Sequence, residues 1–311
     1  MLTRSIRILL ADAVTRLNND EAALESQLLL QHVLNVDRVW MIAHEHDVLS
    51  PEQLAAFEIL VKRRIAGEPI AYILGYREFY GVKLKVTPDT LIPRPDTETL
   101  VEMALSKIPL TLNCHSELVS ESVSSLDFDL RQNDKKSQVL DLGTGSGAIA
   151  LAIAKQRPQV QVIAVDAAKA ALKIAQENAK NLQIHNVTFL QSDWFGALGG
   201  KRFDMIVSNP PYIEAQDSHL QQGDLRFEPM VALASGADGL DDIRKILQNC
   251  LVYLNPQAWL MLEHGYNQAE KVCDLMAETG LVDIYTVRDL GGNARVTLGK
   301  NPLVVSTHWD E

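Results

Sequence analysis

The run Ser208-Asn209-Pro210-Pro211-Tyr212 carries the sharpest chemistry in the chain. Its prolines lack backbone N–H groups and stiffen the loop, so nearby carbonyls stay free to accept from a ligand. Asn209 adds a side-chain carbonyl and Tyr212 a flat face. Together they suit a planar –NH2 on sp2 carbon, meaning a carboxamide or an exocyclic base amine. Such a nitrogen is a poor nucleophile because its lone pair is delocalised. Acceptors on its two hydrogens, from Asn209 and the Pro210 carbonyl, favour pyramidalisation and stabilise positive charge growing on nitrogen. With a good leaving group on the donor, positioning supplies most of the rate and no strong general base is needed. The Asn209 carboxamide also has an NH2 to give to a neighbour. On this reading Asn209→Asp, which keeps an acceptor, retains more activity than Asn209→Ala.

A second constellation lies upstream in Val139-Leu140-Asp141-Leu142-Gly143-Thr144-Gly145-Ser146-Gly147. An apolar strand runs into a turn with three glycines, Thr144 and Ser146 between them, and a helix follows. Glycines turn the chain tightly and bring backbone N–H groups to a ligand at the strand's carboxyl end. Asp166 ends the next strand, where a carboxylate can accept from both hydroxyls of a ribose. The pattern points to a nucleoside. The plainer account is three glycines for helix–strand packing and an aspartate capping a helix. Dinucleotide sites favour GxGxxG, whose helix N-terminus meets a pyrophosphate. Here the turn is GxGxG with Asp141 just ahead of it, which repels a pyrophosphate and suits an ammonium group. That favours S-adenosylmethionine, which has a ribose and an α-amino group but no phosphate. Ser192-Asp193-Trp194 follows the third strand; Asp193 can accept from an adenine amino group and Trp194 can stack on the ring. A turn aspartate and a core tryptophan explain that pair equally well.

These loops need a scaffold, and the pattern supplies an α/β one. Strands at Gln138–Leu142, Val160–Val165, Val187–Leu190, Phe203–Val207 and Trp259–Glu263 alternate with helices at Ala148–Gln156, Ala168–Leu182 and Asp242–Leu254. A helix at Asn267–Glu278 leads to strands at Leu281–Val287 and Asn293–Leu298, joined by a short turn at Gly291-Gly292. Such alternation predicts a mainly parallel sheet covered on both faces, ending in an antiparallel edge pair. Residues 1–75 read as a helical domain. Ile6, Leu9, Leu10, Ala13, Val14 and Leu17 fit helical spacing, so the first run reads as an amphipathic helix rather than a leader. Asn19 or Asp20 can cap a second helix, and Ser50-Pro51-Glu52 is a strong helix start. Residues 76–108 read as a hairpin strand at Phe79–Val86 plus a proline-stiffened connector. The Ser-rich, aperiodic residues 109–137 read as a flexible insertion, leaving 138–311 as the catalytic domain.

Length and composition fit this plan. The 311 residues suggest about two domains. Lys+Arg 29 against Asp+Glu 40 gives a net charge of −11. An acidic chain is a poor general binder of phosphate backbones, so no direct nucleic-acid binding is expected. Cys114, Cys250 and Cys273 are too scattered for a disulfide framework or a zinc site, which predicts reduced thiols, no metal and a cytoplasmic setting. No apolar run is long enough to predict a membrane span.

The chain resembles the release-factor glutamine methyltransferases, the PrmC/HemK family. The matching stretches are Gly67 to Gly75, Pro93-Arg94-Pro95-Asp96-Thr97-Glu98, Asp141 to Ala152, Ser208 to Ile213, Phe227-Glu228-Pro229, and Arg288 to Gly292 with Arg295-Val296. The Ser-rich segment departs from the family's short link. The resemblance implies a class I, Rossmann-like methyltransferase fold behind an N-terminal helical domain. It implies transfer of a methyl group from S-adenosylmethionine to the glutamine of the Gly-Gly-Gln motif in peptide chain release factors. By the same resemblance Gly143, Thr144, Gly145, Ser146, Gly147, Asp166 and Trp194 hold the cofactor. Asn209, Pro210, Pro211 and Tyr212 hold the glutamine, with Asn209 also near the donor, and the N-terminal helices hold the release factor. Two rivals share the loop chemistry: an N6-adenine methyltransferase, which would want a basic track, and a ribosomal-protein glutamine methyltransferase. A lone His264 near a strand end reads as structural.

Overall fold

A computed structural model of the protein describes residues 5–108 and 137–303. The expected insertion, apart from Ser137, and Cys114 with it, lies outside the described residues. Helices α1 (Ile6–Leu17), α2 (Ala22–Leu34), α3 (Arg38–Ala43), α4 (Pro51–Ile65) and α5 (Ile70–Leu74) come first. They enclose an apolar cluster of their own, centred on Ile6, Leu9, Leu29, Leu30, Phe57 and Val61. Asp12 and Arg16, which interrupt the first apolar run, pair across one turn, and Arg16 also reaches Glu58 on α4 at 2.9 Å. Ser50 and Gln53 form a reciprocal cap at the start of α4, satisfying donors that the first turn leaves open. At α2 the outcome differs from expectation. Glu21 occupies the cap position, and Asn19 instead accepts from Glu21 N to shape the preceding turn.

Phe79–Val86 is not one strand. β1 (Tyr76–Phe79) pairs antiparallel with β2 (Val82–Lys85) across a turn at Tyr80-Gly81. Both turn residues have positive φ, 46° and 68°, the handedness that matches strand twist in a two-residue hairpin. Phe79 pairs with Val82 across the turn, so the two share a buried face three residues apart, while Tyr80, Val82, Leu84 and Val86 alternate in sequence straight across it and hide it. The connector also contains a helix missed in the sequence, α6 (Glu98–Lys107), after a 3-10 turn at Pro95–Thr97. The prolines mask it, although Leu100, Val101, Ala104 and Leu105 share one buried helical face.

The remaining elements alternate as predicted: β3 (Gln138–Leu142), α7 (Ala148–Gln156), β4 (Gln161–Asp166), α8 (Lys169–Asn181), β5 (Val187–Gln191), β6 (Phe203–Ser208), α9 (Asp241–Tyr253), β7 (Leu254–Glu263), α10 (Ala269–Thr279), β8 (Val282–Arg288) and β9 (Ala294–Lys300). They form a seven-stranded sheet in the order β5-β4-β3-β6-β7-β9-β8. β5 through β7 are parallel, and β9 and β8 complete an antiparallel edge. Period-two alternation sends Val139, Val162 and Met205 into one apolar layer and Leu140, Leu142 and Ile206 into the other. β1, β2 and α6 pack into the first layer beside α7, so the hairpin and α6 belong to the core of the sheet. Asn178 on α8 fastens the hairpin further: its Oδ1 accepts from Lys85 N at 2.7 Å and its Nδ2 donates to Lys85 O and Ser146 O. Among the described residues no helix is long and apolar enough to cross a membrane, and no His/Cys/Asp/Glu group could hold a metal.

Candidate active site

Strand order brings the two sequence constellations together. β3 is followed on one side by β4 and β5, and the chain then crosses back to place β6 on its other side. At such a switch point the loops leaving adjacent strands splay apart and open a crevice. Leu142 is in register with Ser208, and Ser208 Oγ donates to Leu142 O at 2.7 Å. The glycine turn after β3 and the Asn209 loop after β6 therefore start side by side.

A cavity of about 410 Å³ fills this crevice, lined by Gly143, Gly145, Asp166, Asp193, Trp194, Asn209 and Pro211. Asp166 bridges its floor: Oδ2 accepts from Gly145 N and Oδ1 from Ala168 N, each at 2.8 Å. It is thus both the expected pocket carboxylate and a brace for the start of α8. Burial pushes its pKa up, while the two backbone bonds pull it down. The Trp194 ring lies beside Gly143, 3.7 Å from where a Cβ would stand, so it lines the cavity and also packs on the apolar layer below. Trp194 is thus a packing residue that also forms part of the cavity wall.

Three expected cofactor residues do not line this cavity. Thr144 is buried and donates to Asp141 Oδ2 at 2.6 Å. Ser146 is buried, with its carbonyl held by Asn178. Gly147, at φ 86°, lets α7 approach α8, since a Cβ would stand 3.2 Å from Ala175 Cβ. Asp141 likewise turns inward. Its Oδ2 also accepts from Ala150 N at 3.2 Å, Oδ1 is buried without a hydrogen-bond partner, and desolvation pushes its pKa up to about 7. It braces the turn from beneath and is not among the residues that line the cavity.

The wall nevertheless fits that cofactor in charge. Its charged side chains are four aspartates, Asp89, Asp166, Asp193 and Asp242, and one lysine, Lys245, which is itself paired with Asp242 at 2.8 Å. Such a field favours a cationic ligand and repels a pyrophosphate. The fit covers ribose acceptors, an aromatic face and net negative lining, all on residues present. Asp89, Asp242, Lys245 and the Pro229–Ala232 segment were missed by sequence reading, because nothing local marks loops that meet only in the fold.

Asn209 stands at a partition. On its far side a small cavity of about 50 Å³ is lined by Pro210, Tyr212, Arg94, Leu225 and Leu91. Pro211 lines the large cavity and not the small one. Asn209 Nδ2 donates to Thr97 Oγ1 at 3.1 Å, which leaves its Oδ1 to serve the site. Tyr212 is half-buried, desolvation of its phenol raises its pKa, and its hydroxyl donates to Glu263 at 3.4 Å. Glu228 ties the connector over this slot: it accepts from Ile92 N at 2.9 Å and pairs with Arg94. His264 is structural as expected. Its Nδ1 donates to Gly265 O, Nε2 accepts from Thr297, and burial lowers its pKa.

Residues 8–75 match the family model described as PrmC N-terminal domain, and residues 123–227 match the one described as Methyltransferase small domain. The release factor glutamine methyltransferase of Escherichia coli (strain K12) is 44% identical over 292 residues, 94% of this chain and 97% of the relative. The chain belongs to the release factor glutamine methyltransferase family. Another member, from Aliivibrio fischeri, is 44% identical over 301 residues, 96% of each chain. Among solved structures, the hMettl16 catalytic domain in complex with MAT2A 3'UTR hairpin 6 shares the fold, with TM-score 0.52 and 13% identity over 78% of this chain and 81% of that one. The match therefore spans both the N-terminal helical unit and the sheet that carries Asn209 to Tyr212.

Proposed function

We propose that the protein transfers the methyl group of S-adenosylmethionine to the side-chain amide nitrogen of the glutamine in the Gly-Gly-Gln motif of peptide chain release factors, acting in the cytoplasm. One observation carries the mechanism: Asn209 lines both cavities, and its Nδ2 is already engaged by Thr97. Its Oδ1 is thereby left for an N–H of the acceptor. The carboxamide acceptor enters from the side of Pro210 and Tyr212, and the cofactor lies on the side of Pro211 and Trp194. When bound, the cofactor supplies an electrophilic methyl on a sulfonium leaving group. Asp166 accepts from its ribose hydroxyls and Trp194 offers a face to its base. Asn209 Oδ1 and the Pro210 carbonyl hold the two amide hydrogens, turn the nitrogen lone pair toward the donor and stabilise charge as it develops. The proton is lost after transfer, once the nitrogen is cationic and acidic.

The net charge of −11 disfavours a phosphate-tracking substrate, which weighs against an adenine in nucleic acid. The test is transfer of labelled methyl from S-adenosylmethionine to a purified release factor, followed by mapping of the label. Label on the Gly-Gly-Gln glutamine, and none on a release factor carrying Ala there, is the expected result. Equal labelling of the Ala form, or preferential labelling of ribosomal protein or nucleic acid, overturns the proposal.

A further inference from the structure

Two stretches singled out in the sequence, residues 67–75 and 227–229, have no part in the mechanism above. In the fold they meet. Residues 224–229 lie on the path from β6 to α9 and run against the end of α4. Arg64, in the last turn of α4, donates through Nη1 to Asp224 Oδ1 and to Glu68 O, each at 3.1 Å. Its other edge holds the buried Glu25 of α2, with Nε and Nη2 each 2.9 Å from Oε1. Arg64 is thus anchored in the N-terminal helical unit before it reaches Asp224. A second tie lies beside it: Arg226 Nη2 donates to Ala66 O at 3.1 Å. Gly67 makes room for this guanidinium, since a Cβ there would overlap Arg226 Nη2. Next in the chain, Phe227 packs on the cluster of Ala71, Tyr72, Val86 and Ile92. Between the two ties stands Leu225, which lines the small cavity with Asn209, Pro210 and Tyr212.

We propose that Arg64, Asp224 and Arg226 form a clasp between the N-terminal helical unit and residues 224–227, and that they are positioning residues which hold Leu225 as a wall of the acceptor slot. The wall needs such support. Leu225–Phe227 is a single 3-10 turn, closed by Phe227 N to Asp224 O and Glu228 N to Leu225 O at 3.1 Å each. So short a turn does not fix its own place, and its position is set by what grips it from outside. A guanidinium suits the grip because its planar fork bonds in fixed directions: one edge of Arg64 is committed to Glu25 and the other points at Asp224. Glu228, held by Ile92 N and Arg94, secures the far end of the turn independently. The slot is only about 50 Å³, so a small drift of Leu225 changes how an acceptor is aimed at the donor. The catalytic consequence rests on the proposed carboxamide acceptor, while the clasp itself stands apart from it.

The full-length protein is assayed with S-adenosylmethionine and a purified release factor. Asp224→Ala combined with Arg226→Ala removes both ties at side chains that are partly or fully exposed, so the fold is kept. Arg64 stays, because its loss would strand the buried Glu25. In the double Ala variant kcat should fall about tenfold or more, with cofactor Kd within about threefold of wild type. Asp224→Glu combined with Arg226→Lys keeps both charges and should bring kcat back to within about threefold of wild type. A double Ala variant with wild-type kcat, or a Glu/Lys variant no better than it, overturns the proposal. A second readout needs no transfer. Backbone hydrogen exchange at Phe227 and Glu228 should be about tenfold or more faster in the double Ala variant, while residues 143–147 keep their wild-type rate. Equal exchange in the two proteins, or faster exchange throughout the chain, overturns the clasp. No methyl transfer by wild type together with the expected local exchange sinks the release-factor substrate and leaves the clasp standing.

Discussion

Gly145 donates its backbone N–H to Asp166 Oδ2 at 2.8 Å, tying the glycine turn after β3 to the end of β4. The second oxygen is held by Ala168 N. Each carboxylate oxygen keeps a further lone pair, so the proposed ribose bonds need not displace either backbone bond. Asp166→Ala should weaken S-adenosylmethionine binding by about 1.5–3 kcal/mol for each charge-assisted bond lost. Asp166→Asn, which keeps one acceptor, should fall between Ala and wild type. Calorimetry decides, and unchanged affinity in the Ala variant would leave Asp166 as a helix brace alone.

At Asn209 the structure revises the order of two variants. The sequence favours Asp over Ala because an acceptor survives. The bond to Thr97, however, uses the amide donor that Asp lacks, so an aspartate loses that anchor and adds a charge beside Thr97. Both variants should lose kcat on the order of 10²–10³-fold, with Asp no better than Ala. The measurement is kcat at saturating cofactor and release factor. An Asp variant clearly more active than Ala would show that the acceptor alone matters.

Glu263 predicts a pH-dependent stability. Its pKa is raised above the ordinary carboxylate value, with burial as the main cause and Arg295 opposing. The folded protein therefore binds this proton more tightly than the unfolded chain does. Stability from Glu263 is full below the unfolded pKa and is lost as pH rises to about 7, by up to about 3 kcal/mol. Glu263→Gln cannot ionise, so its Tm should gain on wild type as pH rises from about 4.5 to 7.5. A constant Tm difference across that range would show that Glu263 does not titrate there. Asp141, also raised to about 7, contributes the same trend to both proteins and cancels in the comparison.

Gly239 backs the acceptor loop. Its φ is +74°, and a Cβ there would stand 2.3 Å from the Tyr212 carbonyl oxygen. Backbone atoms cannot swing aside as a flexible side chain does. Gly239→Ala should cost about 1–3 kcal/mol of stability and displace Tyr212, raising release-factor KM and lowering kcat more than it changes cofactor Kd. Thermal unfolding and a steady-state comparison check this. Unaltered kinetics would mean that the segment around residue 239 moves and the loop does not.

The sequence by itself determined the α/β alternation, the antiparallel edge, the N-terminal helices, the glycine turn with Asp166, and the rigid loop from Asn209 to Tyr212. These are local signals. Apolar runs set strands, Ser50 and Gln53 set a cap, and consecutive prolines set a rigid loop whatever surrounds them. The turn at Tyr80-Gly81 escaped because Tyr80, Val82, Leu84 and Val86 alternate in sequence straight across it, and α6 because prolines precede it. Only the tertiary structure decided which residues of the turn meet the cavity and which face inward, and that β9 inserts between β7 and β8. It alone brought Thr97 to Asn209, 112 residues away in sequence, and Glu263 to Tyr212, 51 residues away. Thr97 lies in a stretch that already marked the family, yet nothing near it in sequence names its partner. A hydrogen bond between distant residues exists only once strand order and packing set their separation, and local chain chemistry holds no record of it.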